Sequence, residues 1–179
     1  MNILERPLAI TDVETTGLDA HIHEIIELGL LLVDQKTLEI VDEYEAKIKP
    51  IRLDVMNPQS LEVNGYNETD WQNAPSLQSV MDIYATKTQH ALFVAHNVTF
   101  DWSFIDEAFK RTGAKNRMDY HRIDLLTIAW SRVNQFHGLT KLSLDALCEY
   151  FDIPKEPRPH RAINGVRNEL AVLQKLLQV

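Results

Sequence analysis

Cysteine is nearly absent from this sequence, with Cys148 alone among 179 residues. A single cysteine excludes an intramolecular disulfide framework and a zinc site built from cysteines. Its setting in LDALCEYF predicts a small buried core residue. No apolar run approaches the roughly 20 residues that span a bilayer. The first residues, MNILERPLAI, also lack the apolar centre of a signal sequence. We therefore expect a soluble cytoplasmic protein that does not engage a membrane.

Positive charge is also scarce, with 18 lysines and arginines against 26 aspartates and glutamates and a net charge of -8. This balance argues against broad, nonspecific adhesion to nucleic acid. A local nucleic-acid site stays open where bound cations neutralise acids. One stretch, KEPRPHRAINGVR, has four basic residues and one acid, and it is either a phosphate-facing patch or a solvated surface.

The remaining composition, 45% hydrophobic, fits one globular domain over residues 1–179. Alternating or buried apolar patterns predict three leading strands, at residues 7–14, 25–34 and 39–50, with a hairpin between the second and third. Helices and strands then alternate: helix 76–88, strand 91–96, helix 101–113, strand 120–123 and helices 124–134 and 143–151. Residues 50–75 are expected to be irregular, with one short helix. This order predicts an α/β domain with a mixed sheet.

The last predicted helix has an apolar stripe that suits packing on that sheet. Its members are Ala162, Val166, Leu170, Leu173 and Leu177.

Two acids interrupt the first strand on a single face. Leu8, Ile10, Asp12 and Glu14 alternate with residues of the opposite face, because side chains repeat every two residues along a strand. The pair is either structural, each carboxylate capping nearby backbone, or part of a divalent-cation site, since hard cations prefer oxygen ligands. The following TTG favours a tight turn that lets a ligand approach the backbone.

Two other candidate residues come later in the chain. In FVAHNVTFD, a predicted strand leads through His96 and Asn97 to Asp101 at the start of a helix. In PRPHRAINGVRNEL, His160 lies just before or within the first turn of the last helix. Taken singly, Asp101 is explained by the helix dipole and His160 by an ordinary surface position.

Together, DVETTG, AHNVTFD and HRA occur in an order that resembles the histidine subtype of the DEDD exonucleases (DEDDh). This group includes the epsilon proofreading subunit of bacterial DNA polymerase III, ribonuclease T and oligoribonuclease. The resemblance extends over nearly the whole chain, including IIELGLLLVD and LEVNGYNETDW. It implies a ribonuclease-H-like fold and 3′-to-5′ removal of nucleotides from single-stranded DNA or RNA ends with two Mg²⁺ or Mn²⁺ ions. A DNA polymerase is the partner that it suggests.

The motifs of the family assign roles to individual residues. Asp12 and Glu14 match the first two metal ligands, Asp101 matches the third, and His160 matches the general base that takes a proton from the attacking water. Two ions can stabilise both the attacking and the leaving oxygen of a phosphodiester, and histidine suits water activation near neutral pH. Contacts to the 3′-terminal nucleotide are implied for Thr15, Thr16, Gly17, Leu18, Asn97 and Phe100.

The sequence departs from the family at the fourth acid, expected five residues after His160, where Gly165 stands. Asn164 is uncharged and points about 100° away on an ideal helix. Glu169 lies on the same flank one turn further on, and the helix would need to shift for it to reach the same ion. If the site is a depleted version of the family's site, Gly165→Asp is expected to raise the Mn²⁺-dependent exonuclease rate about 100-fold or more, with the fold unharmed or slightly stabilised.

Three explanations of the missing acid stay open. The chain is a natural exonuclease with a weakened second metal site, a member in which the acid was substituted, or a pseudoenzyme that binds nucleic-acid ends or a polymerase without efficient cleavage. A structural adaptor domain of a polymerase assembly is a further alternative from another class of protein.

Overall fold

The structure, a computed structural model, describes residues 2–178. In this part of the chain a central sheet has five strands: β1 (Leu8–Thr15), β2 (Ile25–Val33), β3 (Ile40–Lys47), β4 (Leu92–Ala95) and β5 (Arg122–Asp124). The α-helices are α1 (Pro58–Asn64), α2 (Glu68–Trp71), α3 (Leu77–Lys87), α4 (Val98–Thr112), α5 (Leu125–Ser131), α6 (Leu144–Tyr150) and α7 (Ala162–Gln178). None of these helices combines the length and the apolar composition needed to cross a membrane.

The sheet has the strand order β3-β2-β1-β4-β5. The first three strands form an antiparallel meander, and β4 and β5 run parallel to β1. Parallel neighbours need a crossover connection, and α3 and α4 provide the ones before β4 and β5. The predicted mixed sheet of three leading strands followed by alternating helices and strands is confirmed.

The two faces of β1 bury different sets of apolar residues, as the two-residue alternation predicts. Leu8 and Ile10 pack with the α7 residues Val166, Leu170 and Leu173. The opposite face packs against α3 and α4 in a cluster that includes Ala9, Val13, Val80, Met81, Tyr84, Phe104 and Ile105. The sheet is therefore covered on both faces, and Asp12 and Glu14 continue the face that α7 covers.

The first turn of α7 lies directly on β2 at Gly29. A Cβ added to Gly29 would come within 2.5 Å of the carbonyl group of Ala162, so only glycine allows this approach. Gly29 is also the register partner of Asp12 on β1. The start of the last helix is thereby fixed beside the first of the two strand acids.

Some predicted boundaries were wrong. Residues 50–75 contain two short α-helices, α1 and α2, and a 3-10 turn at Leu53–Val55, and not one helix. Asparagines cap both α-helices: the Asn57 side chain accepts from Gln59 N at 2.9 Å, and that of Asn67 accepts from Asp70 N at 2.9 Å. Helix α4 begins at Val98, three residues before Asp101.

The apolar stripe of α7 also ends differently from the prediction. Leu177 is 52% exposed, whereas Leu176 is fully buried. On an ideal helix Leu177 lies in direction between Val166 and Leu170, which are both buried. Its exposure therefore comes from its position as the second-last residue of α7 and not from its direction on the helix. The prediction that Cys148 is a core residue is confirmed.

Candidate active site

The three predicted metal ligands lie together at the carboxyl end of β1. Asp12 and Glu14 follow Leu8 and Ile10 on the α7 side of the strand. Asp101, in the first turn of α4, is only 4% exposed. Its Oδ1 accepts a hydrogen bond from Val13 N at 3.2 Å. The Asp101 carboxylate is therefore held against the β1 backbone between the two strand acids.

More acids surround these three, and the set forms what we name the acidic cluster: Asp12, Glu14, Glu27, Asp101, Glu156 and Glu169. Glu27 lies on β2 directly opposite Glu14 in the antiparallel register and is 1% exposed. Glu156 comes from the loop before α7, and Glu169 comes from α7 itself. Like charges this close together disfavour their ionised forms.

Burial and mutual repulsion raise the pKa values of the strand acids. Burial, followed by the nearby carboxylate of Glu156, raises the pKa of Asp12 to about 7. Burial, followed by Asp12 and then Glu156, raises the pKa of Glu14 to about 9. Burial and the charge of Asp12 likewise raise the pKa of Asp101 well above its usual range. Without cations, a pKa of about 9 keeps Glu14 protonated at neutral pH, and a pKa of about 7 leaves Asp12 about half protonated.

The cluster has the chemistry of a divalent-cation site. Its donors are carboxylate oxygens, the ligands that Mg²⁺ and Mn²⁺ prefer. Oε2 of Glu169 is buried and has no hydrogen-bond partner in residues 2–178. A bound cation would satisfy such an oxygen and would offset the repulsion between neighbouring carboxylates.

His160 lies beside the acidic cluster, in the loop before α7. Its backbone N–H donates to the carbonyl of Val63 on α1 at 3.1 Å, and its ring Nδ1 lies 3.1 Å from Glu156 Oε2. Glu14, Glu156 and His160 each offer one ligand atom, and these three atoms lie within 4.8 Å of one another. The predicted base and the second predicted metal ligand are therefore neighbours, although they are 146 positions apart in the sequence.

A cavity of about 310 Å³ opens next to Glu14. Four predicted site residues line it: Glu14, Thr15, Leu18 and Phe100. Leu18 is 77% exposed at its rim. The other walls come from Val13 and from residues Asn57, Gln59, Ser60, Val63 and Asn64 at the start and along the length of α1. Apolar side chains beside an acid suit a nucleotide, because its base offers a flat face for stacking and its phosphate is charged.

The remaining predicted substrate residues have other surroundings. Thr16 and Gly17 are buried, and Thr16 Oγ1 accepts from Glu24 N at 2.9 Å, which fixes the turn after β1. Asn97 is not among the residues that line the cavity in the described chain. Its backbone N–H donates to Asp124 Oδ1 at 3.0 Å. The Asp124 carboxylate, which also accepts from Val98 N at 3.2 Å, thus orders the start of α4, the helix that carries Asp101.

Sequence reasoning missed Glu27, Glu156 and Asn64 as members of this region. Glu27 has the signal that identified Asp12, an acid inside an apolar strand. Its Oε1 accepts from Ala162 N at 3.1 Å, so it anchors the start of α7. Asn64 donates from Nδ2 to Thr15 O at 3.0 Å, which ties α1 to the end of β1. Glu156 lies in a proline-rich loop without periodicity, and no local signal marks it.

Most of the basic stretch 155–167 is paired with acids. Lys155 Nζ lies 2.5 Å from Glu149, Arg161 lies 3.8 Å from Glu27, and Arg167 lies 3.5 Å from Glu43. These pairs favour a structural or solvated surface over a phosphate-facing patch.

The raised pKa values predict how stability changes with pH in the absence of metal. The unfolded chain releases these protons near the ordinary values of 3.8 and 4.5, whereas the folded protein keeps them to about pH 7 at Asp12 and about pH 9 at Glu14. Because the folded state binds more protons in this window, its stability falls as pH rises. We expect the melting temperature in EDTA to drop by about 5 °C or more between about pH 5.5 and pH 8.5.

Thermal denaturation followed by circular dichroism measures this slope. Mg²⁺ should restore stability most strongly at the alkaline end, because cations bind the deprotonated acids. Glu14→Gln should flatten the slope, whereas Glu43→Gln, on the exposed strand β3, should leave it unchanged. A melting temperature in EDTA that rises with pH would contradict the prediction.

Comparison with known proteins places this geometry in a family. The model of a family described as an exonuclease matches residues 9–173. DNA polymerase III PolC-type of Thermotoga maritima is 31% identical over 172 residues, which are 95% of this chain and 12% of the polymerase. The Bacillus subtilis polymerase of the same name is 31% identical over 174 residues, again 12% of its length. This chain thus spans about an eighth of these relatives.

Solved structures agree with the fold. Escherichia coli exonuclease I in complex with a dA16 oligonucleotide has a TM-score of 0.81 at 17% identity. The match covers 97% of this chain and 41% of the exonuclease I chain. A zinc-ion-bound form of the E. coli exonuclease I complex with single-stranded DNA has a TM-score of 0.82 at 16% identity, with coverages of 97% and 40%. The ribonuclease-H-like fold is confirmed, and over residues 9–173 the chain belongs to the exonuclease family.

Proposed function

We propose that this chain is a 3′-to-5′ exonuclease domain that removes nucleotides from single-stranded ends with Mg²⁺ or Mn²⁺. The observation that carries the proposal is the acidic cluster beside the cavity lined by Glu14, Leu18 and Phe100. The cluster supplies the oxygen donors, and the cavity has the size and the apolar wall for one terminal nucleotide. Family membership and the oligonucleotide-bound structures of E. coli exonuclease I support the same reaction.

Each part of the site has a role in that reaction. Asp12, Glu14 and Asp101 would hold the cations, which supply a more acidic water and stabilise charge on the phosphate. His160 would take the proton of the attacking water, with Glu156 at 3.1 Å keeping its ring in place. Leu18 and Phe100 would pack on the terminal base, which limits attack to a chain end.

A 5′-labelled oligonucleotide tests the polarity of the reaction. With Mn²⁺, a DNA or RNA strand should shorten progressively from its unlabelled 3′ end, and a circular single strand should resist. His160→Ala should remove most of the activity, because general-base catalysis contributes about 10²- to 10⁴-fold. His137→Ala, an exposed histidine in the loop before α6, is the matched control. Equal cleavage of circular and linear strands would contradict the proposal.

A second candidate function is binding of nucleic-acid ends without efficient cleavage. Gly165 favours it, because the family's fourth acid is missing there. Titration with Mn²⁺ separates the two functions: two bound ions favour a working exonuclease, one ion an impaired one, and none a binding module.

A polymerase is the partner that we propose, since the PolC-type relatives carry the matching segment within a longer polymerase chain. An adaptor role alone predicts partner binding that survives chelation of divalent metal. The exonuclease role predicts binding of strand ends that depends on metal. Pull-down of a polymerase and of an oligonucleotide with and without EDTA distinguishes these roles.

A further inference from the structure

We propose that Glu169 supplies the fourth carboxylate of the metal site, in place of the acid that is missing at Gly165. This inference rests on the proposed function, and it changes the interpretation of the departure from the family. On this proposal the fourth carboxylate comes from the next turn of α7, and the metal site does not lack an acid.

Helix geometry allows the exchange without any shift of α7. Residues 165 and 169 are one turn apart and face nearly the same direction. Helical side chains lean toward the N-terminus and cover the preceding turn. The side chain of Glu169 therefore leans back toward the turn of Gly165, a residue that has no side chain of its own. Glutamate is also one methylene longer than aspartate, which lengthens its reach in the same direction.

The space beside Gly165 belongs to the site. A Cβ added to Gly165 would lie 2.2 Å from Oδ2 of Asp12 and 2.8 Å from its Cγ. The Asp12 carboxylate thus lies against the bare backbone of α7. The sequence-based expectation that α7 must move for Glu169 to take part is not needed, because the helix already contacts Asp12.

The two oxygens of the Glu169 carboxylate differ in their hydrogen bonding among residues 2–178. It is 2% exposed. Oε1 accepts from the backbone N–H of His96 at 2.7 Å, at the end of β4. Oε2 is equally buried and has no hydrogen-bond partner among residues 2–178. Leaving a charged oxygen in this state is costly unless it has a counter-charge.

The groups that Glu169 faces are other acids. The charges of Asp12, Asp101 and Asp124 all act on it unfavourably. A carboxylate retained among like charges, with one oxygen free, is the arrangement that a cation would stabilise. The hydrogen bond to His96 then orients the carboxylate so that Oε2 is available to a metal.

Isothermal titration of the protein with Mn²⁺ tests the proposal without relying on catalysis. Glu169→Gln keeps the shape of the side chain and an acceptor for His96 N–H, but it removes the charge. We expect one Mn²⁺ to be lost or its affinity to fall at least about tenfold. Glu24→Gln is the matched control: Glu24 is a buried glutamate whose Oε2 accepts from Ile51 N and Arg52 N, outside the acidic cluster. Its Mn²⁺ affinity should not change.

Two further variants distinguish ligation from structural support. Gly165→Asp combined with Glu169→Gln should recover the lost Mn²⁺ affinity, whereas a purely structural Glu169 would not be replaced from position 165. Glu169→Asp, which keeps the charge on a shorter side chain, should weaken Mn²⁺ binding even where the glutamine variant fails to fold.

The outcomes separate the inference from the proposed function. Unchanged Mn²⁺ binding by Glu169→Gln, with binding lost in Asp101→Asn, overturns the role of Glu169 and leaves the proposed function intact. Absence of Mn²⁺ binding by the unaltered protein overturns both.

Discussion

Asp101→Asn is expected to abolish exonuclease activity while raising the melting temperature of the metal-free protein. Asparagine can still accept the hydrogen bond from Val13 N, which spans 3.2 Å, so the fold keeps its contact. It adds no charge to a site where burial and Asp12 already raise the pKa of residue 101. Loss of one carboxylate ligand should lower the rate about 10³-fold or more, since metal-assisted charge stabilisation is worth several kcal/mol.

The gain in stability should appear above neutral pH in EDTA. There the unaltered protein must either hold a proton on Asp101 or keep a buried charge, and the variant avoids both costs. A rise of about 3 °C or more is expected. Asp106→Asn is the control on the same helix, because Asp106 pairs with Lys110 at 2.6 Å on the surface. Full activity in Asp101→Asn would remove residue 101 from the site.

Gly165→Asp is expected to destabilise the metal-free protein, against the expectation from sequence. Residue 165 lies in the first turn of α7, as the sequence predicts, but it is buried. A side chain there meets Asp12 Oδ2 at 2.2 Å, so it must displace a carboxylate and add another beside it. We expect the melting temperature in EDTA to fall by about 5 °C or more, with Mn²⁺ recovering most of the loss.

Gly165→Ala separates the steric part of this effect from the charge. It should share the loss of stability in EDTA but not the recovery with Mn²⁺. If Glu169 already completes the site, Gly165→Asp should change the exonuclease rate by less than about tenfold. A gain near 100-fold would instead show that the acid was missing and would overturn the role of Glu169.

Local periodicity predicted many of the strands and helices, because few other secondary structures satisfy the same apolar pattern. Strand alternation placed Asp12 and Glu14 on the face that α7 covers, and Gly113 ends α4 as expected. The asparagine caps of α1 and α2 were visible in the sequence, but the prolines around them suggested an irregular segment. An asparagine cap is enough to predict a short helix only when the helix is also held by packing, as at the buried Trp71.

The rest of the site depends on contacts between distant parts of the chain. The position of Glu156 depends on the path of the loop before α7, which no short-range pattern encodes. From the sequence, Glu169 is expected to need a shift of α7, because the bare backbone at Gly165 and its contact with Asp12 appear only when β1 and α7 are packed. Whether the family roles of Asp12, Glu14, Asp101 and His160 apply here stays a prediction.

The hydrogen bond from Ala162 N to Glu27 has a consequence for the order of events during synthesis. Its two residues are 135 positions apart, and contacts of such long sequence separation form late because a long loop must close first. A nascent chain that has exposed only β1 to α4 presents Asp12, Glu14 and Asp101 without α7 above them. Cation binding should therefore follow the packing of α7 on β1 and β2, and the proposed exonuclease activity should begin only after that step.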